Sequence, residues 1–190
     1  MSDGDDAERE EEPSPSLGLA RGTVELLAHD PRWREAYERE VERLRPRLGG
    51  AGGDDSVRFE HVGSTAVPGL AAKPIVDLLV LVSDRDEAGG VVRSLEAAGY
   101  EERPDDVPDR RFFVRGPPER RTHYLSLTEL GSDCHREQVA FRDALRADDG
   151  LAAEYERRKR KLAEAYPDER SRYTAAKSSF VESVLDDSLV

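Results

Sequence analysis

Glu60-His-Val-Gly-Ser-Thr-Ala-Val-Pro-Gly-Leu-Ala-Ala-Lys-Pro-Ile-Val-Asp-Leu-Leu-Val80 decides how this chain is read. A short strand ends in a Gly63-Ser64 turn, a Pro68-Gly69 loop carries the chain to Lys73, and a very apolar strand covers residues 75–82. That second strand is apolar on both faces, which marks it as a central strand. Asp77 interrupts it. A carboxylate inside such a strand is costly to bury unless it is paired, metal-bound or at an open end. Asp77 is therefore the first candidate for a functional residue.

Upstream, residues 57–62 read as the strand that feeds the turn. Before it, Asp30-Pro31 predicts a helix start, with Asp30 as N-cap and Pro31 at the first helical position. Trp33, Tyr37, Val41 and Leu44 recur on one face of that helix, which runs to Leu48 and ends in the glycines of 49–53. A short strand is expected at 23–27. Downstream, 84–98 reads as a helix closed by Gly99, followed by strands at 100–103, 111–115 and 123–128 joined by Pro-rich turns. The remainder is helical, at 133–147, 151–166 and 168–185. Mixed strands, one crossover helix and a helical C-terminal third predict an α/β (α+β) mixed sheet with helices packed on it. Residues 1–20 read as a disordered acidic tail and 21–187 as a single domain.

The chain has 190 residues and a net charge of −12; of 29 basic residues only Lys73, Lys159, Lys161 and Lys177 are lysine, so 25 are arginine. Excess Asp and Glu with so little Lys suits a protein kept soluble in concentrated salt, because high ionic strength screens the repulsion between acids. A salt-loving source is favoured over codon bias plus an acidic tail. The same charge disfavours nucleic acid as a partner unless a local basic patch exists. Cys134 is the only cysteine, which excludes an intrachain disulfide and a paired-cysteine metal site. With no 18-residue apolar run and a polar, acidic N-terminus, a cytoplasmic location away from membranes is expected.

Gly63-Ser64 after a strand, then 12 residues, then Asp77 in an apolar strand resembles the nucleotidyltransferase superfamily (DNA polymerase β-like). Its signature is a Gly-Ser turn followed by Asp-x-Asp. The resemblance implies that the turn backbone and the Ser64 hydroxyl hold phosphates. It also implies that carboxylates hold two divalent ions, Mg or Mn, for phosphoryl transfer by charge neutralisation. More narrowly, the segment 60–77 resembles the GrpB family. So do Pro108-Asp-Arg-Arg-Phe-Phe113, Thr122-His-Tyr-Leu125, Phe141-Arg-Asp-Ala-Leu145, Glu154-Tyr155, Lys159, Tyr166-Pro167 and Tyr173-Thr-Ala-Ala-Lys177. The resemblance spans about residues 23–185 and implies a nucleotidyltransferase-like fold. In some bacteria a related domain is joined to dephospho-coenzyme A kinase. This chain departs from the superfamily pattern at position 79, where Leu79 replaces the second carboxylate. The strand at 123–128 also lacks an acid before Glu129, so the usual two-metal site is incomplete.

The candidate residues follow from these readings. Asp77 and Ser64 are candidate catalytic groups; Gly63, Ser64, Thr65, Lys73 and Arg111 are candidate phosphate or substrate contacts. Asp77 with His61 and His123 would form a rebuilt metal set, since imidazole can replace carboxylate around Zn²⁺, Mn²⁺ or Ni²⁺. Lys73 is the only lysine before Lys159, and a compact ammonium suits a phosphate better than a planar guanidinium does. The bland readings are Asp77 as an acceptor for amides or Arg, Ser64 as a turn cap and Lys73 as a solvent-facing charge. Phe112 and Phe113 point to opposite faces, so one is core and the other is free to stack on a base. Arg157 to Lys161 reads as a solvated helix face. Two functions stand side by side. One is divalent-metal-dependent nucleotidyl or phosphoryl transfer to an unknown acceptor. The other, favoured by Leu79, is a catalytically inactive nucleotide- or coenzyme-binding or folding-helper module. Both expect a small-molecule nucleotide or coenzyme as partner.

Overall fold

A computed structural model describes residues 16–49 and 57–188. Residues 1–15 of the tail expected over 1–20, and the glycine-rich segment beyond Gly49, lie outside the described residues. Five strands form one mixed sheet in the order β1 (Val57–Val62), β2 (Val76–Val82), β5 (His123–Glu129), β4 (Arg111–Arg115), β3 (Tyr100–Arg103). β2 runs antiparallel to β1 and parallel to β5, and the other pairs are antiparallel. The parallel pair needs a long crossover, which α2 (Arg85–Ala97) and the β3–β4 hairpin supply.

Alternation along β2 sorts the two faces. Val76, Leu78, Val80 and Val82 join Leu44 of α1 (Arg32–Leu48), Leu95 of α2, Phe113, Leu125 and Leu127 in the main core. On the opposite face Leu79 and Leu81 pack under Val139 of α3 (Asp133–Ala147). A third cluster, around Leu145, Tyr155, Phe180 and Val184, joins α3 to α4 (Asp149–Ala165) and α6 (Ser178–Ser188). Helices therefore cover both faces, which explains why β2 is apolar throughout. This is the mixed α/β sheet with a helical C-terminal third that the sequence implies.

The start of α1 also follows the sequence. Pro31 already has helical dihedrals, and Asp30 Oδ1 accepts the Arg32 amide at 3.0 Å. Three local differences have physical reasons. Residues 23–27 form only a single bridge, Leu27 to Ala72, because the facing segment lies between Pro68 and Pro74 and offers no continuous ladder. Residues 18 and 19, expected in the acidic tail, are held by the domain: Leu19 is buried against Ile75, Val114 and Tyr124, and Gly18 donates to the Pro74 carbonyl at 2.8 Å. The helix expected over 168–185 is broken into α5 (Arg170–Ala175) and α6, with Lys177 at the break. Among the described residues, no helix is long and apolar enough to cross a membrane.

Candidate functional site

The Gly-Ser turn and Asp77 are one structure. β1 ends at Val62, which pairs with Asp77, and Gly63 then turns the chain at φ 71° into a single 3-10 turn, Ser64–Ala66. A Cβ at position 63 would lie 2.6 Å from Asp77 Oδ2 and 3.0 Å from its Cγ. Only glycine lets the backbone turn this way and approach the carboxylate this closely. The separation seen in sequence is closed by the β1–β2 pairing.

A cavity of about 530 Å³ opens beside the turn. Ser64, Thr65, Lys73 and Asp77 line it from the motif, Phe112 and Tyr124 from the sheet, and Tyr155 and Lys159 from α4. Arg170 and Tyr173 of α5, and Lys177 at the helix break, close the other side. The rim carries Arg110, held by Asp105. Three of the four lysines in the whole sequence thus meet in one cavity. Its lining carries five cationic side chains and two carboxylates, within a chain of net charge −12.

The manner in which these cations are held distinguishes them from the paired arginines elsewhere. Arg142 is paired with Glu60 and Asp143, Arg115 with Glu40, and Arg121 with Glu101. By contrast, the described residues place no carboxylate within 4.0 Å of Lys73, Lys177 or Arg170. Aromatic rings hold them instead. The Lys177 and Lys73 ammonium groups lie 4.5 and 5.6 Å from the ring centre of the buried Tyr173. Arg170 lies 4.5 Å from the Tyr124 ring centre and donates to its hydroxyl at 2.6 Å. A ring face holds a cation in place without cancelling its charge.

Burial and mutual repulsion act on the same groups. Burial first, then Arg170 and Lys177, push the Lys73 ammonium down to about 7 against the pull of Asp77. Lys177 is pushed down to about 8, and Lys159 to about 7, chiefly by burial. Burial pushes the Asp77 carboxyl up, opposed by Lys73, Arg170 and Lys177. Lys159 is 1% exposed; its Nζ donates to Ser64 Oγ at 3.0 Å and to the Ala71 carbonyl. That contact uses an acceptor position of the Ser64 oxygen and leaves the hydroxyl proton to be donated elsewhere. Lys159 is therefore a positioning residue for the turn.

The expected residues divide sharply. Gly63, Ser64, Thr65, Lys73 and Asp77 come together, with Thr65 buried and bonded to His61 Nε2 at 3.0 Å. Arg111 does not join them. It pairs with Leu127, on the main-core face, and makes two 2.7 Å bonds to Glu102. Arg111→Gln is expected to leave ligand affinity unchanged in titration calorimetry and stability within about 0.5 kcal/mol, as for other exposed pairs.

The metal set is also corrected. In the sheet register His61 faces with Leu78 and His123 with Val76, so both imidazoles lie on the opposite face from Asp77. His61 stacks on Tyr37 at 4.6 Å, and burial pushes it down to about 3. His123 is buried too and is pushed down to about 4. Leu79, at the second carboxylate position, is fully buried. Among the described residues no three His, Cys, Asp or Glu side chains could hold a metal ion together. One available carboxylate among unneutralised ammonium groups does not fit a resident Mg²⁺ or Mn²⁺ ion, which needs several anionic oxygens.

The sequence expectations leave out Arg170 and Tyr173 as contacts, and with them Lys159 and Lys177. The signal for the lysines was present, because their scarcity applies to Lys159 and Lys177 as much as to Lys73. Within the basic run 157–161, Lys159 alone is buried and the other four are exposed. Of the two adjacent phenylalanines, Phe113 is core and Phe112 lines the cavity.

Fold and site define a mixed α/β domain with a Gly-Ser turn set against a strand carboxylate. The chain belongs to the GrpB family: residues 23–187 match the family described as GrpB protein. A UPF0157 protein of Halalkalibacterium halodurans is 37% identical over 182 residues, covering 95% of this chain and 90% of that protein. The UPF0157 protein YqkA of Bacillus subtilis is 31% identical over 160 residues, but the match spans only 45% of its length. The crystal structure of the conserved protein GrpB from Enterococcus faecalis superposes with a TM-score of 0.76 at 31% identity, over 87% of this chain and 97% of that one. A partial match links 85 residues, 43% of this chain, to 20% of a dephospho-CoA kinase of Mycolicibacterium paratuberculosis at 40% identity.

Proposed function

We propose that the cavity binds a phosphorylated small molecule, a nucleotide or nucleotide-bearing coenzyme, through Lys73, Lys177, Arg170 and the Ser64 hydroxyl. One observation carries this reading: in an arginine-rich, acidic chain, three of four lysines converge on the Gly-Ser turn, and among the described residues none of the three has a carboxylate within 4.0 Å. Charge-assisted contacts to phosphate oxygens would supply the counter-charge these groups lack. Phe112 and Tyr124, 5.4 Å apart between ring centres, offer an apolar wall for a base. The partial match to a dephospho-CoA kinase makes coenzyme A a ligand to test alongside the nucleotides. Titration calorimetry with ATP, CTP, GTP, coenzyme A and tripolyphosphate is the test. Saturable binding of at least one of them is expected, and no binding of any would remove the reading.

Affinity should depend on pH with a definite sign. An anion favours the charged lysines, so binding to groups lowered to about 7 and 8 takes up protons. Affinity is expected to be highest near pH 7 and to fall about tenfold per pH unit above it for each proton taken up. Ligand-free stability moves the other way. Between pH 7 and the ordinary lysine range the unfolded chain holds more protons than the folded one, so these lysines make stability rise with pH. Titrations at pH 7, 8 and 9, with unfolding curves at each, check both signs.

Nucleotidyl or phosphoryl transfer is a second reading, favoured by the contact of Asp77 with the turn. A carboxyl raised by burial could accept the proton of an acceptor hydroxyl while a new O–P bond forms and the bond to the departing phosphate breaks. This reading requires turnover that Asp77→Asn abolishes while binding persists.

A further inference from the structure

The cavity has the cations to hold phosphates and lacks the carboxylates that would carry a metal with them. We infer that its ligand is a polyphosphate free of divalent metal, with Lys73, Lys177 and Arg170 supplying the neutralising charge. This inference rests on the phosphate-binding reading proposed above. A magnesium ion on a polyphosphate does two things: it cancels negative charge, and it fastens the phosphates to protein carboxylates. In this cavity the first task is already met by side chains whose charge is left open. Lys73 and Lys177 both lie against the Tyr173 ring, and Arg170 sits on Tyr124. The second task has few takers. Asp105 is committed to Arg110, and position 79 is a buried leucine. Asp77 is left, flanked by the three cations that act on its carboxyl. A bound divalent ion would be repelled by those groups and would weaken each contact they make with the phosphates. Asp77 then acts as a brake on anion binding rather than as a ligand.

The test uses the full chain and two probes, ATP and tripolyphosphate. Each is titrated in EDTA and again in excess Mg²⁺, with KCl adjusted to equal ionic strength. Metal-free ligand is expected to bind about tenfold or more tightly than its magnesium complex. Asp77→Asn, which keeps the side-chain shape, is expected to bind metal-free ligand at least as tightly as the wild type. Tighter binding with Mg²⁺, or a loss in Asp77→Asn confined to the magnesium titrations, would overturn the inference and leave the phosphate site standing. Failure of both probes under both conditions would overturn the phosphate-binding reading itself.

Discussion

Replacing Lys73 and Lys177 together by glutamine is expected to weaken tripolyphosphate binding about 100-fold or more while raising the unfolding temperature of the ligand-free protein. The first effect follows from the loss of two charge-assisted contacts, each worth about 1.5–3 kcal/mol. The second follows from the state of the lysines before any ligand arrives. Burial and their cationic neighbours push them to about 7 and 8, so at neutral pH the fold holds ammonium groups where they are unfavourable. Glutamine carries no such charge. A gain of about 1 kcal/mol would raise the unfolding temperature by roughly 2–4 °C in a domain of this size. Opposite signs in affinity and stability mark a site kept for function at the expense of the fold. A variant that binds as well as the wild type would remove both lysines from the site. One that loses affinity and stability together would make them structural.

Gly63→Ala is expected to destabilise the protein by about 2–4 kcal/mol, from an unfavourable backbone region together with overpacking. The added Cβ would meet Asp77 at three atoms, Oδ2, Cγ and Cβ, so rotating the carboxylate does not clear the space. Removing the obstruction should restore part of the loss. Asp77→Ala on the Gly63→Ala background is expected to cost less than the two single changes added together, because the contacts with Oδ2 and Cγ disappear and only the 3.1 Å approach to the Cβ and the φ 71° strain remain. Urea unfolding of the four proteins in this cycle measures the coupling. Simple additivity would mean that the turn does not rest on Asp77.

Much of this architecture was legible because local signals agreed. The helix start at Asp30-Pro31, the strand before Gly63 and the double-sided apolar run around Asp77 each have a short-range cause. The nearness of Gly63-Ser64 to Asp77 was legible as well, since a tight turn and an antiparallel return are enough to produce it. The faces were less accessible. His61 looks well placed in sequence, yet a strand alternates every residue, and its register with Leu78 sends it away from Asp77. The inward aim of Lys159 within its basic run was not legible, because the helix face that turns inward is set by packing of Tyr155 and Phe180. Lys177 depends on the break between α5 and α6, which no glycine or proline announces. The residues from a continuous segment were therefore found, and those brought in by the C-terminal helices were not.

The most direct test of the central claim is proton uptake on ligand binding. Tripolyphosphate is titrated calorimetrically into the wild-type protein in EDTA at pH 8, in two buffers of different ionisation enthalpy. If the cavity holds phosphates through lysines depressed by burial, the observed heats will differ between buffers and correspond to uptake of about one proton or more per ligand. Binding with identical heats in both buffers would contradict the account, because phosphates would then be held without recharging Lys73 and Lys177.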